Sequence, residues 1–151
     1  MQRKSWQQWF LELAALVGSR SKDPSTQVGA VAHDCAHGIV EVGYNGLPRG
    51  VEDRPERMER PAKYHWTVHA EANLVAQAAQ SRLRGKVVTV THMPCSQCAA
   101  LLIQAGVGVV VVGDGKTSMP DEVFLISRQM FREAGVRLVM VNKEDESCWH
   151  S

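Results

Sequence analysis

The 151-residue sequence has almost no net charge, because 17 lysine and arginine residues are balanced by 16 aspartate and glutamate residues. Proteins that bind nucleic acids or acidic membrane surfaces usually carry a clear basic excess. The balance of charges therefore argues against a nucleic acid or a membrane as the partner of this chain.

Long hydrophobic runs are also missing from the sequence. No apolar stretch reaches the roughly 18 residues that a membrane-spanning helix needs. The opening segment MQRKSWQQWF contains no apolar core of the kind found in secretion signals. We therefore expect a cytoplasmic protein. The composition, with 44% hydrophobic and 22% charged residues, is ordinary for a globular protein and predicts a single domain over residues 1–151, ending in a flexible tail at 141–151.

Cysteine is scarce, and its four positions are unevenly spaced. Cys35 and Cys148 stand alone, whereas Cys95 and Cys98 form a Cys-x-x-Cys pair. In a cytoplasmic chain such a pair more often binds a metal or performs redox chemistry than forms a structural disulfide. The pair alone does not decide between a metal site and a redox site.

The hydrophobic pattern predicts an α/β fold. Apolar residues from Trp6 to Val17 recur at spacings of three and four, so we expect a helix with this stripe facing the core. Later in the chain, short apolar runs alternate with helical segments, which favours parallel strands joined by right-handed crossovers. Helices are predicted at residues 5–18, 69–80, 98–106 and 121–135, and strands at 27–32, 38–44, 86–90, 107–113 and 136–141.

These elements predict a mixed five-stranded sheet with helices on both faces. The first two strands are close enough in sequence to form an antiparallel hairpin, and the later strands are predicted to be parallel. Residues 45–64, rich in glycine, proline and charge, are predicted to form one long loop. A loop of this length in a compact domain is usually functional or mobile.

His69 and Glu71 give the cysteine pair a chemical context. A His-x-Glu segment starts at His69, 26 residues before Cys95, and a proline directly precedes Cys95. His-x-Glu followed by Pro-Cys-x-x-Cys is the sequence signature of zinc-dependent deaminases. In the first turn of a helix, Cys95 and Cys98 lie on one side, and the positive helix N-terminus favours their thiolate forms.

The donor set predicts a catalytic zinc site. Structural zinc sites usually use four protein ligands, and this sequence offers three, His69, Cys95 and Cys98, which leaves one position for water. Glu71 can reach past the metal without binding it, so we assign it the role of general acid and base. The alternative, a zinc-stapled protein without activity, leaves Glu71 unexplained.

Several further segments, such as SKDPSTQVGA, GYNGLPRG and KYHWTVHAEAN, occur in the same order in a known family. With the zinc motif, they resemble the cytidine deaminase-like superfamily and, more narrowly, the deoxycytidylate (dCMP) deaminases, over nearly the whole chain. The zinc motif specifies only the superfamily, and the first two segments narrow the resemblance. His92, in THMPC, departs from many relatives, which show an aliphatic or aromatic residue there.

The resemblance implies a cytidine deaminase-like three-layer α-β-α sandwich that uses Zn²⁺ to convert dCMP to dUMP, a step of pyrimidine deoxynucleotide metabolism that feeds dTTP supply. It also implies a homo-oligomer, commonly a hexamer, that is activated by dCTP and inhibited by dTTP, with Mg²⁺ accompanying the effector. Some relatives hold a second zinc ion in longer insertions. Residues 45–64 contain no additional cluster of cysteine and histidine, so we expect one zinc ion per chain.

The resemblance also assigns roles to the GYNG segment. Asn45 matches the superfamily asparagine that bonds the substrate sugar, although Asn-Gly is also a common turn. The same segment resembles the family's allosteric nucleotide site, which makes Gly43, Tyr44, Gly46 and Arg49 candidate effector contacts.

A nucleotide substrate requires partners for its phosphate and its base. Tyr64 and Trp66 precede His69 and are candidates to stack on the base or wall the pocket, with core packing as the alternative. Phosphate needs cations or hydrogen-bond donors, and each single cation is otherwise a solvated surface charge. The candidates are Arg20, Lys22, Arg49 and Lys63, with Ser25 and Thr26 as donors.

Three other functions remain compatible with the sequence. One is deamination of a different substrate, such as a modified dCMP, free cytosine or guanine, or adenosine in tRNA, although the charge balance argues against tRNA. Another is a zinc-bound nucleotide sensor without activity. The third is a redox Cys-x-x-Cys protein, which predicts a reducible disulfide and no zinc.

Overall fold

The structure, a computed structural model, describes residues 2–141, with Gln80 described by its backbone alone. Cys148 and nearly all of the predicted tail lie outside the described residues. No helix within residues 2–141 combines the length and the apolar character of a membrane-spanning segment. The helices are α1 (Trp6–Gly18), α2 (Lys63–Trp66), α3 (Ala70–Gln77), α4 (Gln80–Leu83), α5 (Ser96–Gln104) and α6 (Asp121–Glu133), with a 3-10 helix at Pro55–Met58, and the strands are β1 (Gly29–His33), β2 (Ile39–Tyr44), β3 (Val87–His92), β4 (Val109–Gly115) and β5 (Arg137–Met140).

The five strands form one mixed sheet in the order β2-β1-β3-β4-β5. Strand β1 is antiparallel to both β2 and β3, whereas β3, β4 and β5 are parallel. The predicted hairpin, the parallel strands and the mixed five-stranded sheet are therefore confirmed. Three consecutive valines of β4, from Val110 to Val112, are buried, as expected for a strand covered on both faces.

Helix α1 covers one face of the sheet. The Ser5 side chain accepts a hydrogen bond from the Gln8 backbone N–H at 3.1 Å and caps the helix. Phe10 and Ala14 pack against Val31 of β1. The expectation that the whole apolar stripe faces the core is wrong at the two tryptophans and at Leu16, which are exposed, because α1 buries a narrower face than the stripe.

The opposite face carries the larger core. Leu74 of α3, Leu102 of α5 and Phe131 of α6 are fully buried and belong to one cluster with Val88 and Val110 of the sheet. Helices thus lie on both sides of the sheet, which confirms the three-layer α-β-α architecture.

The long loop contains more regular structure than the sequence predicts. It includes the 3-10 helix, and it leads into α2, whose four residues are too few to show a helical period. Gly46 and Val68 pair through two backbone hydrogen bonds of 3.1 and 2.8 Å, so the loop returns to its own start just before His69. The predicted helix at 69–80 ends earlier, at Gln77, because the backbone at Ala78 is extended.

Candidate active site

Two helix N-termini meet at the predicted metal site. His69 is the residue before α3, Cys95 is the residue before α5, and Cys98 lies in the first turn of α5. The His69 Nδ1 atom is 3.5 Å from Cys95 Sγ and 3.3 Å from Cys98 Sγ. Tetrahedral zinc with ordinary bond lengths separates a nitrogen and a sulfur ligand by about 3.6 Å. The three donors therefore fit a zinc ion that they bind together.

The electrostatics of the three donors favour a cation. A hydrogen bond from Cys98 lowers the pKa of Cys95 to about 4. The same hydrogen bond, together with burial, raises the pKa of the Cys98 thiol, and a hydrogen bond to Cys95 raises the pKa of His69. A divalent cation bound by both sulfurs would compensate them as thiolates.

Glu71 lies two residues after His69, in the first turn of α3, and is buried, with 3% of its surface exposed. Burial is the main cause that raises the pKa of its carboxyl, and Cys98 is close enough to interact with it. A carboxyl with a raised proton affinity is suited both to accept and to return a proton near neutral pH.

An open cleft lies over His69 and Glu71. Its walls come from the loop before β1, the loop after β2, helix α2, the end of β3 and the loop after β4. Each of these five segments contributes at least one lining residue; in the same order, they include Thr26, Asn45, Tyr64, His92 and Ser118. The site therefore depends on segments that are distant in sequence.

Asn45 lies at the wall of the cleft and is buried. Its Oδ1 atom accepts from the Val28 backbone N–H at 2.9 Å, and its Nδ2 atom donates to the Thr26 carbonyl at 2.9 Å. The amide therefore ties the loop after β2 to the entry of β1, and it holds Thr26 in the cleft.

Five of the candidate substrate contacts are absent from the described residues that line the cleft, namely Arg20, Lys22, Ser25, Arg49 and Trp66. Lys22 forms an exposed ion pair with Asp53. Trp66 has the Arg57 guanidinium 4.1 Å above its ring, so it packs against the long loop. Tyr64, by contrast, lines the cleft and is 55% exposed, which leaves its ring open to a ligand.

Lys63 reaches the cleft, but its ammonium group is already paired. It contacts Asp23 Oδ2 at 2.9 Å and donates to Ser25 Oγ at 2.8 Å. Both Lys63 and Asp23 are buried. Burial alone would raise the pKa of Asp23, but hydrogen bonds from Ser25, Lys63 and Thr26 lower it below its ordinary value. This ion pair fixes the loop before β1 against α2.

The candidate effector residues lie outside the cleft. Gly43 is buried in β2. An added Cβ atom would lie 2.4 Å from the Ala70 carbonyl oxygen, so the lack of a side chain at position 43 allows β2 to pack closely against α3. Tyr44 and Gly46 border two other hollows, one with Arg20 and Lys22 and the other with Arg49.

Several cleft residues were not among the predicted contacts. Arg60 of the long loop is one, and the loop after β4 contributes Thr117, Ser118 and Met119. The sequence could have predicted the contribution of the loop after β4, because ligands of open α/β sheets bind beyond the carboxyl ends of parallel strands. Arg60 lies in a charged loop whose sequence has no period to show which side chain turns inward.

The chain was compared with known protein families and proteins. The family model of the cytidine and deoxycytidylate deaminase zinc-binding region matches residues 4–114. The deoxycytidylate deaminase of Homo sapiens is 36% identical over 137 residues, which are 87% of this chain and 76% of the human protein. The chain belongs to the deoxycytidylate deaminase family. An uncharacterized deaminase from the luxG 3′ region of Aliivibrio fischeri is 44% identical over 136 residues, covering 88% of this chain and 91% of that protein.

The fold of this family member is shared with a solved structure. The dCMP deaminase of cyanophage S-TIM5, crystallised in apo form and with dCMP and dUMP, aligns with a TM-score of 0.72 over 93% of this chain and 100% of that chain, at 22% identity. His69, Cys95 and Cys98 form the zinc site of the family in this protein.

Proposed function

We propose that the protein catalyses the hydrolytic deamination of dCMP to dUMP and ammonia. One observation carries the proposal: the buried Glu71 carboxyl lies close to three zinc donors and lines a cleft that is open to solvent. The name of the human relative and the nucleotides in the cyanophage structure support the choice of dCMP.

The chemistry divides between the zinc site and Glu71. His69, Cys95 and Cys98 would hold the zinc ion, which would make hydroxide available at neutral pH. Glu71 accepts a proton from the attacking water and delivers it to N3 of the cytosine ring. It then takes the remaining proton from the hydroxyl that is now bonded to C4 and transfers it to the amine; the bond between C4 and the amine breaks, so that water and dCMP become dUMP and ammonia. Its raised proton affinity suits a group that is protonated and deprotonated within one turnover.

The sugar and the base occupy the cleft above this floor. Asn45 and Thr26 stand together at one wall, joined by the hydrogen bond from the Asn45 amide, and they are our candidates for the deoxyribose. Tyr64 stands at the cleft with its ring more than half exposed, and we assign it to the base or the sugar. We exclude Lys22 and Trp66 as substrate contacts, because Lys22 is paired with Asp53 and Trp66 packs against Arg57.

Arg60 is our candidate for the 5′-phosphate. It is the one arginine among the described residues that line the cleft. Lys63 is committed to Asp23 and Ser25, and Lys22 is paired with Asp53 outside the cleft. A guanidinium binds a phosphate through two parallel hydrogen bonds, so Arg60 would select a nucleotide over a nucleoside.

The test is ammonia release from dCMP, CMP, deoxycytidine and cytosine, with and without a chelator. We expect dCMP to be the preferred substrate and the chelator to abolish turnover. A preference for cytosine or deoxycytidine would support a different deaminase. Tight nucleotide binding without ammonia release would support a sensor.

Arg60→Gln tests the phosphate assignment in the same assay. We expect kcat/KM for dCMP to fall about tenfold or more, while that for deoxycytidine stays unchanged, because only the nucleotide loses a charge-assisted hydrogen bond. Arg128→Gln, at an exposed position on α6, is the matched control. An equal loss for both substrates would contradict the assignment.

We also propose that dCTP and dTTP, with Mg²⁺, act at the hollow formed by the GYNG segment in a homo-oligomer, with a hexamer expected. Asn45 borders both this hollow and the cleft, which supports a link between effector and substrate. Arg20 supplies positive charge to the hollow. Initial rates that do not respond to magnesium-dCTP or magnesium-dTTP would contradict regulation, and light scattering would measure the oligomer.

A further inference from the structure

The outer edge of the sheet is covered by side chains from α3 and α4. Strand β2 is the last strand on one side of the sheet, and carbonyls at alternate positions of β2 accept hydrogen bonds from these helices. The bonds run from Asn73 to Tyr44 at 2.8 Å, from Gln77 to Val42 at 2.9 Å and from Arg82 to Val40 at 2.7 Å. We call the three donors, Asn73, Gln77 and Arg82, the edge ladder.

The first two donors of the edge ladder match β2 in their spacing. Asn73 and Gln77 are four residues apart on α3, which corresponds to a rise of about 6 Å. Their acceptors, Tyr44 and Val42, are two residues apart on a strand, which corresponds to about 6.6 Å. Helix α3 therefore lies along β2 with its donors opposite their acceptors, and a shift of α3 along the strand would stretch both bonds at once.

Strand β2 presents no side chain to α3 at Gly43. A Cβ atom added there would lie 2.4 Å from the Ala70 carbonyl oxygen and 2.7 Å from the Leu74 backbone nitrogen. The two backbones therefore pack directly at this point, without an interlocking β2 side chain that would resist sliding. Hydrogen bonds depend on both distance and angle, so the edge ladder fixes where α3 lies along β2.

Asn73 is the member of the edge ladder that lies nearest to the chemistry. Its backbone N–H donates to the His69 carbonyl at 2.9 Å, and Glu71 is two residues before it. Its side-chain acceptor, Tyr44, directly precedes Asn45, which lines the cleft. The Asn73 side chain thus joins the helical turn that carries Glu71 to the segment that forms a wall of the cleft.

The backbone that leads into His69 is fixed independently of Asn73. Val68 and Gly46 form two backbone hydrogen bonds of 3.1 and 2.8 Å, and His69 is itself one of the three zinc donors. Glu71 lies further into α3, where the edge ladder holds the helix. We therefore expect that loss of the Asn73 bond displaces Glu71 and leaves the zinc site intact.

We propose that Asn73 is a positioning residue. Through its hydrogen bond to the Tyr44 carbonyl, it holds the first turn of α3 so that the Glu71 carboxyl keeps its place in the cleft. Asn73 is absent from the described residues that line the cleft, so it acts through the helix and not by contact with the substrate. The inference rests on the proposed function, in which Glu71 transfers the protons.

Two matched variants separate positioning from a general loss of stability. Asn73→Leu replaces the amide by an apolar side chain of similar size, and Gln77→Leu removes the same kind of bond one helical turn later. Each variant loses one hydrogen bond to β2, but only Asn73 lies beside the turn that carries Glu71. Asn73→Ala takes the place of Asn73→Leu if the leucine variant does not fold.

The measurements on the zinc-loaded protein are zinc content, kcat and KM for dCMP, and amide hydrogen exchange of residues 69–77. In Asn73→Leu we expect kcat to fall by about tenfold or more, because a small misplacement of a catalytic group is costly, with KM and zinc content unchanged. We expect its amide exchange to rise by about two- to tenfold, the effect of one lost hydrogen bond on local opening. In Gln77→Leu we expect kcat to stay at the wild-type level.

In a wild type that deaminates dCMP, any of four results would overturn the inference alone. They are a wild-type kcat in Asn73→Leu, an equal loss of kcat in Gln77→Leu, a change confined to KM, and loss of zinc from both Asn73 variants. A wild type that releases no ammonia from dCMP would instead overturn the proposed function. Hydrogen exchange needs no substrate, so it would still show whether the Asn73 bond fixes α3.

Discussion

The zinc site of His69, Cys95 and Cys98, which we call the zinc corner, and the Lys63–Asp23 pair both bury charge at the same cleft, but they compensate it differently. The zinc corner uses two helix N-termini and a metal, and its donors come from two short motifs. The pair uses direct contact between residues 40 positions apart, with Ser25 as an added partner. Local sequence specifies the first kind of site, whereas the second exists only when two loops meet.

The way in which each region compensates its buried charge explains why the two regions have different functions. At the zinc corner the charge is compensated by a ligand that also performs chemistry, so Glu71 beside it can act on a substrate. In the Lys63–Asp23 pair every hydrogen of the ammonium has a partner among Asp23 and Ser25, so little capacity is left for a ligand. We therefore expect the corner to control turnover and the pair to control stability.

The largest expected effect is that of Cys95→Ala. The variant removes one of three zinc donors, so we expect loss of bound zinc, no ammonia release above background and a lower Tm, because zinc binding contributes to folding. Cys35→Ala is the matched control, since Cys35 is exposed and far from the motif. Full zinc content in Cys95→Ala, measured by elemental analysis, would contradict the assigned ligand set.

Glu71→Gln tests whether Glu71 transfers protons without taking part in zinc binding. We expect kcat to fall by about 10² to 10⁴, because proton transfer is lost, while zinc content stays at the wild-type level. Glu56→Gln, at an exposed position, should leave kcat unchanged. Loss of zinc from Glu71→Gln would show that Glu71 supports the metal and not the proton transfer.

Lys63→Met should lower the free energy of unfolding by about 3–5 kcal/mol, because it leaves Asp23 buried without its cation. Lys22→Met removes the exposed ion pair with Asp53 and should change stability by about 0–1 kcal/mol. Both values come from urea unfolding of the zinc-loaded protein. If the two variants lose equal stability, the pair is not what holds the loops together.

The smallest expected effect concerns His33, another buried titratable group, on the α1 face of the sheet. Its ring stacks on Phe10, with centroids 3.6 Å apart, and its Nε2 atom lies 3.0 Å from Thr89 Oγ1. Burial is the main cause that lowers the pKa of His33 from 6.5 to about 4. Its neutral form therefore contributes stability that is fully present above pH 6.5 and is lost as the pH falls toward 4.

The measurement is the difference in unfolding free energy between the wild type and His33→Gln as a function of pH. We expect this difference to shift against the wild type by on the order of 3 kcal/mol or less across that interval. Subtraction of the variant cancels other groups that titrate, including the zinc ligands. A difference that does not change with pH would show that His33 titrates alike in the folded and unfolded chains.

Much of the fold was predictable because local patterns carry it. The valines from Val109 to Val112, the cap at Ser5 and the short turn between β1 and β2 each act within a few residues. Where the prediction was wrong, the exposed Trp6 and Trp9 show that helical spacing marks an apolar stripe but not how much of it a neighbour covers.

By itself, the sequence determined the order of the strands and of α1, α3, α5 and α6, because hydrophobic periodicity marks these elements. It also determined the zinc ligands and the position of Glu71, because these depend on spacings of two or three residues at helix N-termini. Only the tertiary structure decided that Lys63 belongs to Asp23, that Trp66 lies outside the cleft, and that Arg60 and His92 line it. Such contacts arise where loops far apart in the chain converge, and no local pattern records which side chains then face one another.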